Sequence, residues 1–348
     1  MKIFQCGHCD HALYFENYTC ENCGHSSGFR DEDRKMLTFN SIENAPLISD
    51  REKIEYKYCK NKAYGACNWL IEKDSPEAFC NACQLNRTIP DLSDSENFEK
   101  WRHLEIAKHR LVYQLQKIGL PLASKMDDGN GLCFDFVEKK NNPDLMTGHA
   151  HGVITVLLRE ADSVQREQMR KQFLEPYRTL IGHLRHEVGH YFWDRLVVTN
   201  PQVLKQFRAI FGNEELNYAD ALQSYYKTGT PDNWQESYIT KYATSHPWED
   251  WAETWAHYLH IMDMLETAYF FGIDMKPIGI KKRMKAKVTF DPYFEEDFDL
   301  IINVCVPLSF AVNSINRSMG LPDVYPFVIT PKVVDKMKFI HQLLLPKR

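Results

Sequence analysis

Five consecutive residues, His186-Glu187-Val188-Gly189-His190, combine two imidazoles and a carboxylate at a spacing that could hold a metal ion. Histidines at positions i and i+4 lie one above the other on a helix face, so both rings can reach the same ion. Glu187 then stands beside the open coordination position, where it can take a proton from a bound water. We therefore predict a catalytic zinc held by His186 and His190, with Glu187 as the general base.

The surrounding sequence predicts that this motif lies in a helix running from Tyr177 to Val198. Pro176 suits the first turn of a helix, and no proline interrupts the segment. Apolar residues recur at helical spacing: Leu180, Leu184, Val188, Tyr191 and Leu196. Gly189 lacks a side chain, so another backbone or a substrate can approach closely there. The alternative is a core helix whose histidines only cap or form hydrogen bonds.

A catalytic zinc needs a third protein ligand, and the segment from His246 to His260 offers several. Pro247 and the acidic residues after it predict a helix start. Ligand-type side chains at spacings of 4, 4 and 3 share one face of this helix: Glu249, Glu253, His257 and His260. An apolar stripe lies beside them: Trp251, Trp255 and Tyr258. We expect one glutamate to bind zinc and the other to orient a ligand histidine, the alternative being an ordinary charged helix stripe.

Two further predictions concern the substrate. Tyr242 and His246, just before this helix, are candidates to stabilise the developing oxyanion, although a tyrosine there is also compatible with plain core packing. The branched segment Gly152–Leu158 predicts a strand. It is equally compatible with a core strand and with a strand that receives the substrate as an added strand, a role that a resemblance to zincin metallopeptidases implies.

The cysteines predict two structural zinc sites. Eight of the ten cysteines lie in the first 83 residues, in two sets of four: Cys6, Cys9, Cys20 and Cys23, then Cys59, Cys67, Cys80 and Cys83. The C-x2-C pairs are typical of zinc ribbons, and four thiolates close the coordination sphere of the metal. Disulfides are the alternative, but the first residues contain no apolar signal segment, so we expect a reducing, cytoplasmic location. The remaining Cys133 and Cys305 are expected to be small buried hydrophobes.

Composition limits the classes of partner. The chain has 348 residues, 44% of them hydrophobic and 26% charged, which is typical of a soluble globular protein with more than one domain. No run of 18 apolar residues predicts a membrane span. Residues 1–90 carry 11 Lys and Arg against 13 Asp and Glu, and this lack of a basic footprint disfavours nucleic acid.

The site residues resemble a known family. H-E-x-G-H followed on a later helix by E-x-x-A and an acidic or amide residue resembles the zincin metallopeptidases whose third ligand is glutamate. The resemblance implies Glu249 as the zinc ligand and Glu253 as the residue that orients a ligand. These two roles stay open to exchange, because Glu253 stands where such families often have aspartate or asparagine.

The order of motifs along nearly the whole chain resembles a bacterial family of zinc-binding metallopeptidases with N-terminal zinc-ribbon domains. Other matching stretches are Cys67–Trp69, Asn86–Leu92, Tyr177–Leu180 and Asn316–Pro322. The resemblance implies an α+β fold: a mostly helical zincin-like domain with a small sheet, preceded by two zinc-ribbon modules that each hold four cysteines. We place a zinc ribbon at 1–35, a second four-cysteine zinc-binding module at 36–92 and the catalytic domain at 93–348.

The expected function is hydrolysis of peptide bonds with one catalytic and two structural zinc ions. A peptide or protein is the expected substrate, and the ribbons are expected to offer a surface to a protein partner. Three alternatives stay open from the residues: a ribbon scaffold with a regulatory or vestigial zincin site, a ribbon protein linked to nucleic acid, and a zinc hydrolase acting on another bond.

Overall fold

The computed structural model describes residues 2–40, 46–48, 54–139, 144–172, 178–279 and 284–345. The chain divides into two compact units. The N-terminal unit comprises Met1–Gln116, Pro121–Gly148 and Gly152–Arg166, and the C-terminal unit comprises Lys117–Leu120, His149–His151 and Glu167–Arg348. The division at 35 and 92 that the sequence suggests stays a prediction.

Two short antiparallel hairpins form around the first cysteine set. Strands β1 (Phe4–Gln5) and β2 (Ala12–Leu13) pair with one another, and β3 (Ser26–Arg30) pairs with β4 (Lys35–Phe39). Around the second cysteine set, β5 (Leu47–Ile48), β6 (Glu55–Tyr58) and β7 (Leu70–Glu72) form a three-stranded antiparallel sheet. A Cβ atom on Gly28 would lie 2.6 Å from the side chain of Leu70, so glycine allows β3 to approach β7 closely.

A four-stranded sheet follows, with the order β10-β11-β9-β8. Its members are β8 (Asn86–Thr88), β9 (Cys133–Val137), β10 (Gly148–Ala150) and β11 (Val153–Leu157). The expected strand in the segment Gly152–Leu158 is therefore present as β11. It is paired on both sides, however, so it cannot accept an added strand, and β10 is the edge strand next to it.

Eight α-helices occur in the described residues. They are α1 (Ser95–Ile118), α2 (Ser163–Gln172), α3 (Leu180–Leu196), α4 (Pro201–Phe211), α5 (Tyr218–Thr228), α6 (Pro247–Phe270), α7 (Phe298–Ser318) and α8 (Pro331–Leu344). A last short hairpin joins β12 (Asp274–Met275) to β13 (Ala286–Lys287). The predicted α+β fold class is confirmed.

The helix that carries the first motif begins three residues later than predicted. Thr179 caps α3, because its hydroxyl accepts a hydrogen bond from the Gly182 N–H at 3.1 Å. The expected start signals Pro176 and Tyr177 lie outside the described residues. At the other end α3 stops at Leu196 rather than Val198.

The apolar stripe predicted beside the glutamates is part of the core. Trp251, Trp255 and Tyr258 on α6 are each 0% exposed. Such a side chain buries roughly 150–250 Å², which is about 4–6 kcal/mol of gross hydrophobic stabilisation before conformational entropy is subtracted. This burial holds α6 in place and orients its opposite, carboxylate-bearing face. Cys133 and Cys305 are also fully buried, as expected.

Helix α7 is long and apolar enough to cross a membrane, judged by length and composition alone. It is the only such helix in the described part of the chain, and 39% of its apolar window is buried in the protein. Core helices of soluble proteins pass the same test, so this feature is weak evidence for a membrane span.

Candidate metal centre

Helices α3 and α6 bring three ligand-type atoms together. His186 and His190 lie one turn apart on α3, and their Nε2 atoms are 3.2 Å apart. Glu249 lies in the first turn of α6, and its Oε2 atom is 3.0 Å from Nε2 of His186 and 3.4 Å from Nε2 of His190. Both elements lie within the C-terminal unit.

This geometry fits a zinc ion. In a tetrahedral site with bonds of about 2.0–2.1 Å, the ligand atoms are about 3.3–3.4 Å apart, close to the separations observed. Oε2 of Glu249 is buried and has no hydrogen-bond partner in the described residues, so a cation would satisfy it. Two imidazole nitrogens and one carboxylate are also the donor set of a catalytic zinc site with an open fourth position.

The two glutamates contact opposite nitrogens of His186. Oε1 of Glu253 is 2.6 Å from Nδ1, so Nδ1 donates to that carboxylate, and Nε2, which faces Oε2 of Glu249 at 3.0 Å, is the nitrogen that a zinc ion would bind. Burial by itself would raise the pKa of Glu253, but the hydrogen bond and charge of His186 outweigh it and lower that pKa. Glu253 therefore occupies the position of an ionised group that orients a ligand.

Close packing of the two helices makes this arrangement possible. A Cβ atom on Gly189 would lie 3.1 Å from Cα of Ala252 and 3.2 Å from the ring of Trp255. The Gly189 carbonyl accepts a hydrogen bond from the Trp251 indole N–H at 2.8 Å. The prediction that another backbone approaches Gly189 is thus confirmed, and the approaching backbone is that of α6.

Glu187 is 9% exposed, directly follows His186 and lies three residues before His190. Burial raises the pKa of its carboxyl group, although the charges of His186 and His190 act in the opposite direction. A raised pKa suits a carboxylate that takes a proton and later returns it near neutral pH.

His246 has a different role from the one expected. It is the N-cap of α6: its Nδ1 accepts the Trp248 N–H at 3.1 Å, and its Nε2 donates to the Leu216 carbonyl at 3.1 Å. Because the backbone engages both ring nitrogens, the expectation that His246 stabilises an oxyanion is corrected. Tyr242 lies closer to the centre, with its ring centroid 6.0 Å from that of His186.

Tyr218 was not singled out from the sequence. It is the first residue of α5, and its hydroxyl lies 2.5 Å from Oε1 of Glu249, the oxygen turned away from the histidine Nε2 atoms. Tyr218 is 38% exposed as a whole, but partial burial of its hydroxyl end, followed by the charge of Glu249, raises the pKa of this phenol. The phenol therefore stays protonated and donates the bond. No local pattern marks a tyrosine that lies 31 residues before its partner.

The predicted polar face of α6 also includes His257 and His260, which have partners of their own. Nδ1 of His257 pairs with the Tyr325 hydroxyl at 3.0 Å, and Nδ1 of His260 lies 2.6 Å from a guanidinium nitrogen of Arg185. Burial lowers the pKa of His257 to about 4, so it is neutral at pH 7. These side chains pack behind the three ligand-type atoms.

The surroundings of His190 are aromatic. Trp248 packs on its ring, with centroids 3.8 Å apart, and the ring of His149 lies 6.4 Å away and nearly parallel. His149 is on β10 but belongs to the C-terminal unit. Within the C-terminal unit, His149 and Trp248 thus surround the His190 ring.

The two cysteine sets have the geometry of thiolate zinc sites. Within each set all four sulfur atoms lie within 4.8 Å of one another. Measured pairs are 3.6 Å apart in the first set and 3.7 Å apart in the second. A tetrahedral site with Zn–S bonds of about 2.3 Å requires about 3.8 Å between sulfurs. All ten cysteines are free, so the sulfur pairs are not disulfides.

Models of known protein families match both the cysteine-rich segment and the segment that carries the candidate metal centre. A family model described as "Putative zinc-binding metallo-peptidase" matches residues 97–343, and one described as "zinc-ribbon domain" matches residues 3–94. The first match covers more than half of the sequence, so the chain belongs to this metallopeptidase family. The resemblance predicted from the motifs is confirmed.

Relatives in two mycobacteria align over almost the full length. Uncharacterized proteins of Mycobacterium bovis and Mycobacterium tuberculosis are 38% identical over 347 residues, covering 99% of this chain and 95% of theirs. No solved structure matches the chain significantly.

Proposed function

We propose that this protein is a zinc-dependent peptidase in which His186, His190 and Glu249 hold the catalytic ion. The observation that supports this most directly is the separation of 3.0–3.4 Å among their three ligand-type atoms. A zinc ion at this position would lower the pKa of water from 15.7 to about 7 and would polarise a carbonyl oxygen.

Three other side chains have separate roles in the proposed reaction. The carboxylate of Glu187 takes a proton from the attacking water and returns it to the leaving amine, so that a peptide bond and a water yield a carboxylate and an amine. Glu253 holds Nδ1 of His186 and keeps Nε2 available. The hydroxyl of Tyr242 is our candidate for stabilising the oxyanion.

A peptide substrate is supported by the family membership and by the sheet edge. Strand β10 lies at one end of the four-stranded order, and a peptide could pair with it through main-chain hydrogen bonds. Within the C-terminal unit, the ring centroid of His149 lies 6.4 Å from that of His190.

We extend the proposal to three further properties: two structural zincs in the cysteine sets, a cytoplasmic location and a protein partner at the ribbons. The cysteine geometry and the zinc-ribbon match support the zincs. The balance of 11 basic against 13 acidic residues in 1–90 argues against nucleic acid as that partner.

Metal content and hydrolysis together test the proposal. The wild-type protein should contain about three zincs per chain by elemental analysis, and His186→Ala should lose one. Glu187→Gln should keep all three zinc ions. Its rate of hydrolysis, measured on a panel of denatured proteins and peptides, should fall by about 10²–10⁴-fold because the general base is gone. Glu167→Gln, on the surface of α2, is the matched control and should change neither.

Two results would decide against peptide hydrolysis by this centre. Full activity in Glu187→Gln would remove the assignment of the base. Three zincs with no cleavage of any peptide or protein by the wild type would favour a ribbon scaffold or a hydrolase acting on another bond.

A further inference from the structure

We propose that Tyr218 is a positioning residue that fixes which oxygen of Glu249 faces the metal. This inference rests on the proposed zinc site and adds a residue that the sequence motifs do not contain. Tyr218 acts through Glu249 and is not itself placed on the reacting atoms.

The carboxylate of Glu249 is held asymmetrically. Oε1 accepts the Tyr218 hydroxyl at 2.5 Å, whereas Oε2 faces the two histidine Nε2 atoms at 3.0 and 3.4 Å. Glu249 is only 1% exposed, so water has little access to compete for these oxygens. A hydrogen bond to an ionised acceptor is about twice as strong as a neutral one. Tyr218 thus occupies one oxygen and leaves the other for a cation, which favours binding through a single oxygen.

Tyr218 is itself held by the start of α6. His246, the N-cap of α6, donates to the carbonyl of Leu216, two residues before Tyr218. The Tyr218 ring also packs edge-on against His246 and Trp248, with centroids 5.3 and 5.8 Å away. The helix start that carries Glu249 therefore also fixes the residue that holds Glu249.

A second tyrosine hydroxyl lies close to this pair. The Tyr242 hydroxyl is close enough to Tyr218 and Glu249 for each to affect the pKa of the Tyr242 phenol, which is raised first by burial and then by the charge of Glu249. None of the residues of α5 is buried, so burial of an apolar face does not anchor this helix. The hydrogen bond to Glu249, the backbone contact at Leu216 and the ring contacts with His246 and Trp248 set the position of Tyr218 instead.

Zinc affinity without substrate tests the inference. Tyr218→Phe keeps the ring and removes the hydrogen-bond donor. The zinc affinity of the centre formed by His186, His190 and Glu249 should therefore fall by about 10–100-fold, as for other residues that orient metal ligands. Affinity is measured by competition with a chelator, and Co²⁺ placed in that site should show a changed visible spectrum. The cysteine sites should keep their zinc. Tyr226→Phe, on the same helix with a side chain 65% exposed, is the matched control and should bind like the wild type.

A double-mutant cycle separates a specific role from a general loss of structure. If Tyr218 acts through Glu249, Tyr218→Phe should add almost no further loss of affinity in a Glu249→Gln background. Additive losses, or an unchanged affinity and Co²⁺ spectrum in the single variant, would overturn the inference and leave the proposed peptidase intact. A wild-type protein without a third zinc would instead overturn the proposed function and this inference together.

Discussion

At the scale of single residues, His186 is the centre of the site because both of its nitrogens meet a carboxylate. Nδ1 donates to Glu253 at 2.6 Å, and Nε2 faces Glu249 at 3.0 Å. A histidine held in this way keeps one tautomer and one ring orientation, which is the usual function of a residue behind a metal ligand. The two glutamates should therefore respond differently to substitution.

Substitution of Glu253 should weaken zinc binding without abolishing it. Glu253→Ala removes the acceptor at Nδ1, and we expect a loss of about 10–100-fold in affinity. Glu253→Gln keeps an acceptor oxygen and should lose less, whereas Glu249→Gln should lose more than either because it changes a ligand. Chelator competition gives the order. A greater loss for Glu253→Gln than for Glu249→Gln would exchange the two roles.

At the scale of elements, the site depends on how closely α3 approaches α6. The approach occurs at Gly189, where a Cβ atom would lie 3.1 Å from the α6 backbone at Ala252. A glycine inside a helix costs about 1 kcal/mol relative to alanine, so its presence is explained by packing and not by helix propensity. The gain is that a carboxylate on α6 can reach imidazoles on α3.

Gly189→Val should separate the two helices. The added atoms meet the backbone of α6, and we expect the C-terminal unit to lose about 1–3 kcal/mol of unfolding free energy, as for other overpacked sites. Five of the seven tryptophans lie in that unit, so denaturant unfolding followed by tryptophan fluorescence reports on it. Zinc affinity should fall in parallel. Gly129→Val is the control, because nothing lies within 4 Å of its added Cβ. Equal effects at both positions would contradict the packing argument.

At the scale of the whole molecule, a buried ion pair joins the last helix to the helix that carries the glutamates. Nζ of Lys336 on α8 lies 2.6 Å from Oδ2 of Asp250 on α6, with side chains 6% and 1% exposed. Burial raises the pKa of Asp250 to about 7, even though the Lys336 charge acts to lower it. The pair lies in the same helical turn as Glu249, so α8 supports the start of α6 from behind.

Removing the charge of Lys336 should lower the free energy of unfolding by an amount that depends on pH. Lys336→Met leaves a buried carboxylate unpaired and should lower unfolding free energy by about 3–5 kcal/mol at about pH 8. The folded-state pKa of Asp250 then lies further above its unfolded value, so the folded variant takes up a proton as the pH falls. The cost should consequently be smaller at about pH 5.5 than at pH 8. Lys338→Met, on the same helix as Lys336, removes only a surface pair with Asp299 of α7 and should change little. A cost independent of pH would exclude titration of Asp250.

Much of the candidate site follows from local spacing. Two histidines four residues apart must share a helix face, and each C-x2-C unit brings its own two thiols close together. Cys59 and Cys67, which seven residues separate, need the fold of the chain to bring them together. The core stripe on α6 is equally local, since residues at helical spacing share a face. For this reason the two histidines, the glutamates of α6 and the cysteine sets could be singled out before the structure was known, whereas the α+β class followed from the family resemblance.

The errors have a common cause. His246 was a candidate to stabilise the oxyanion, but whether its nitrogens are available depends on the backbone of Leu216, 30 residues away. Strand β11 looked ready to receive a substrate, but its neighbours β9 and β10 cover both of its edges. Each outcome depends on contacts between segments that are distant in sequence, and these leave no periodic signal.

The sequence by itself determined the chemistry available to this protein: two imidazoles and a carboxylate in five residues, glutamates on a later helix, and two sets of four thiols. Only the tertiary structure decided how the carboxylates are used. The crossing of α3 and α6 at Gly189 turns Glu249 towards both Nε2 atoms and Glu253 towards Nδ1, and α5 brings Tyr218 to the remaining oxygen of Glu249. Spacing along one helix fixes which side chains share a face, whereas distances between helices depend on packing that no single segment encodes.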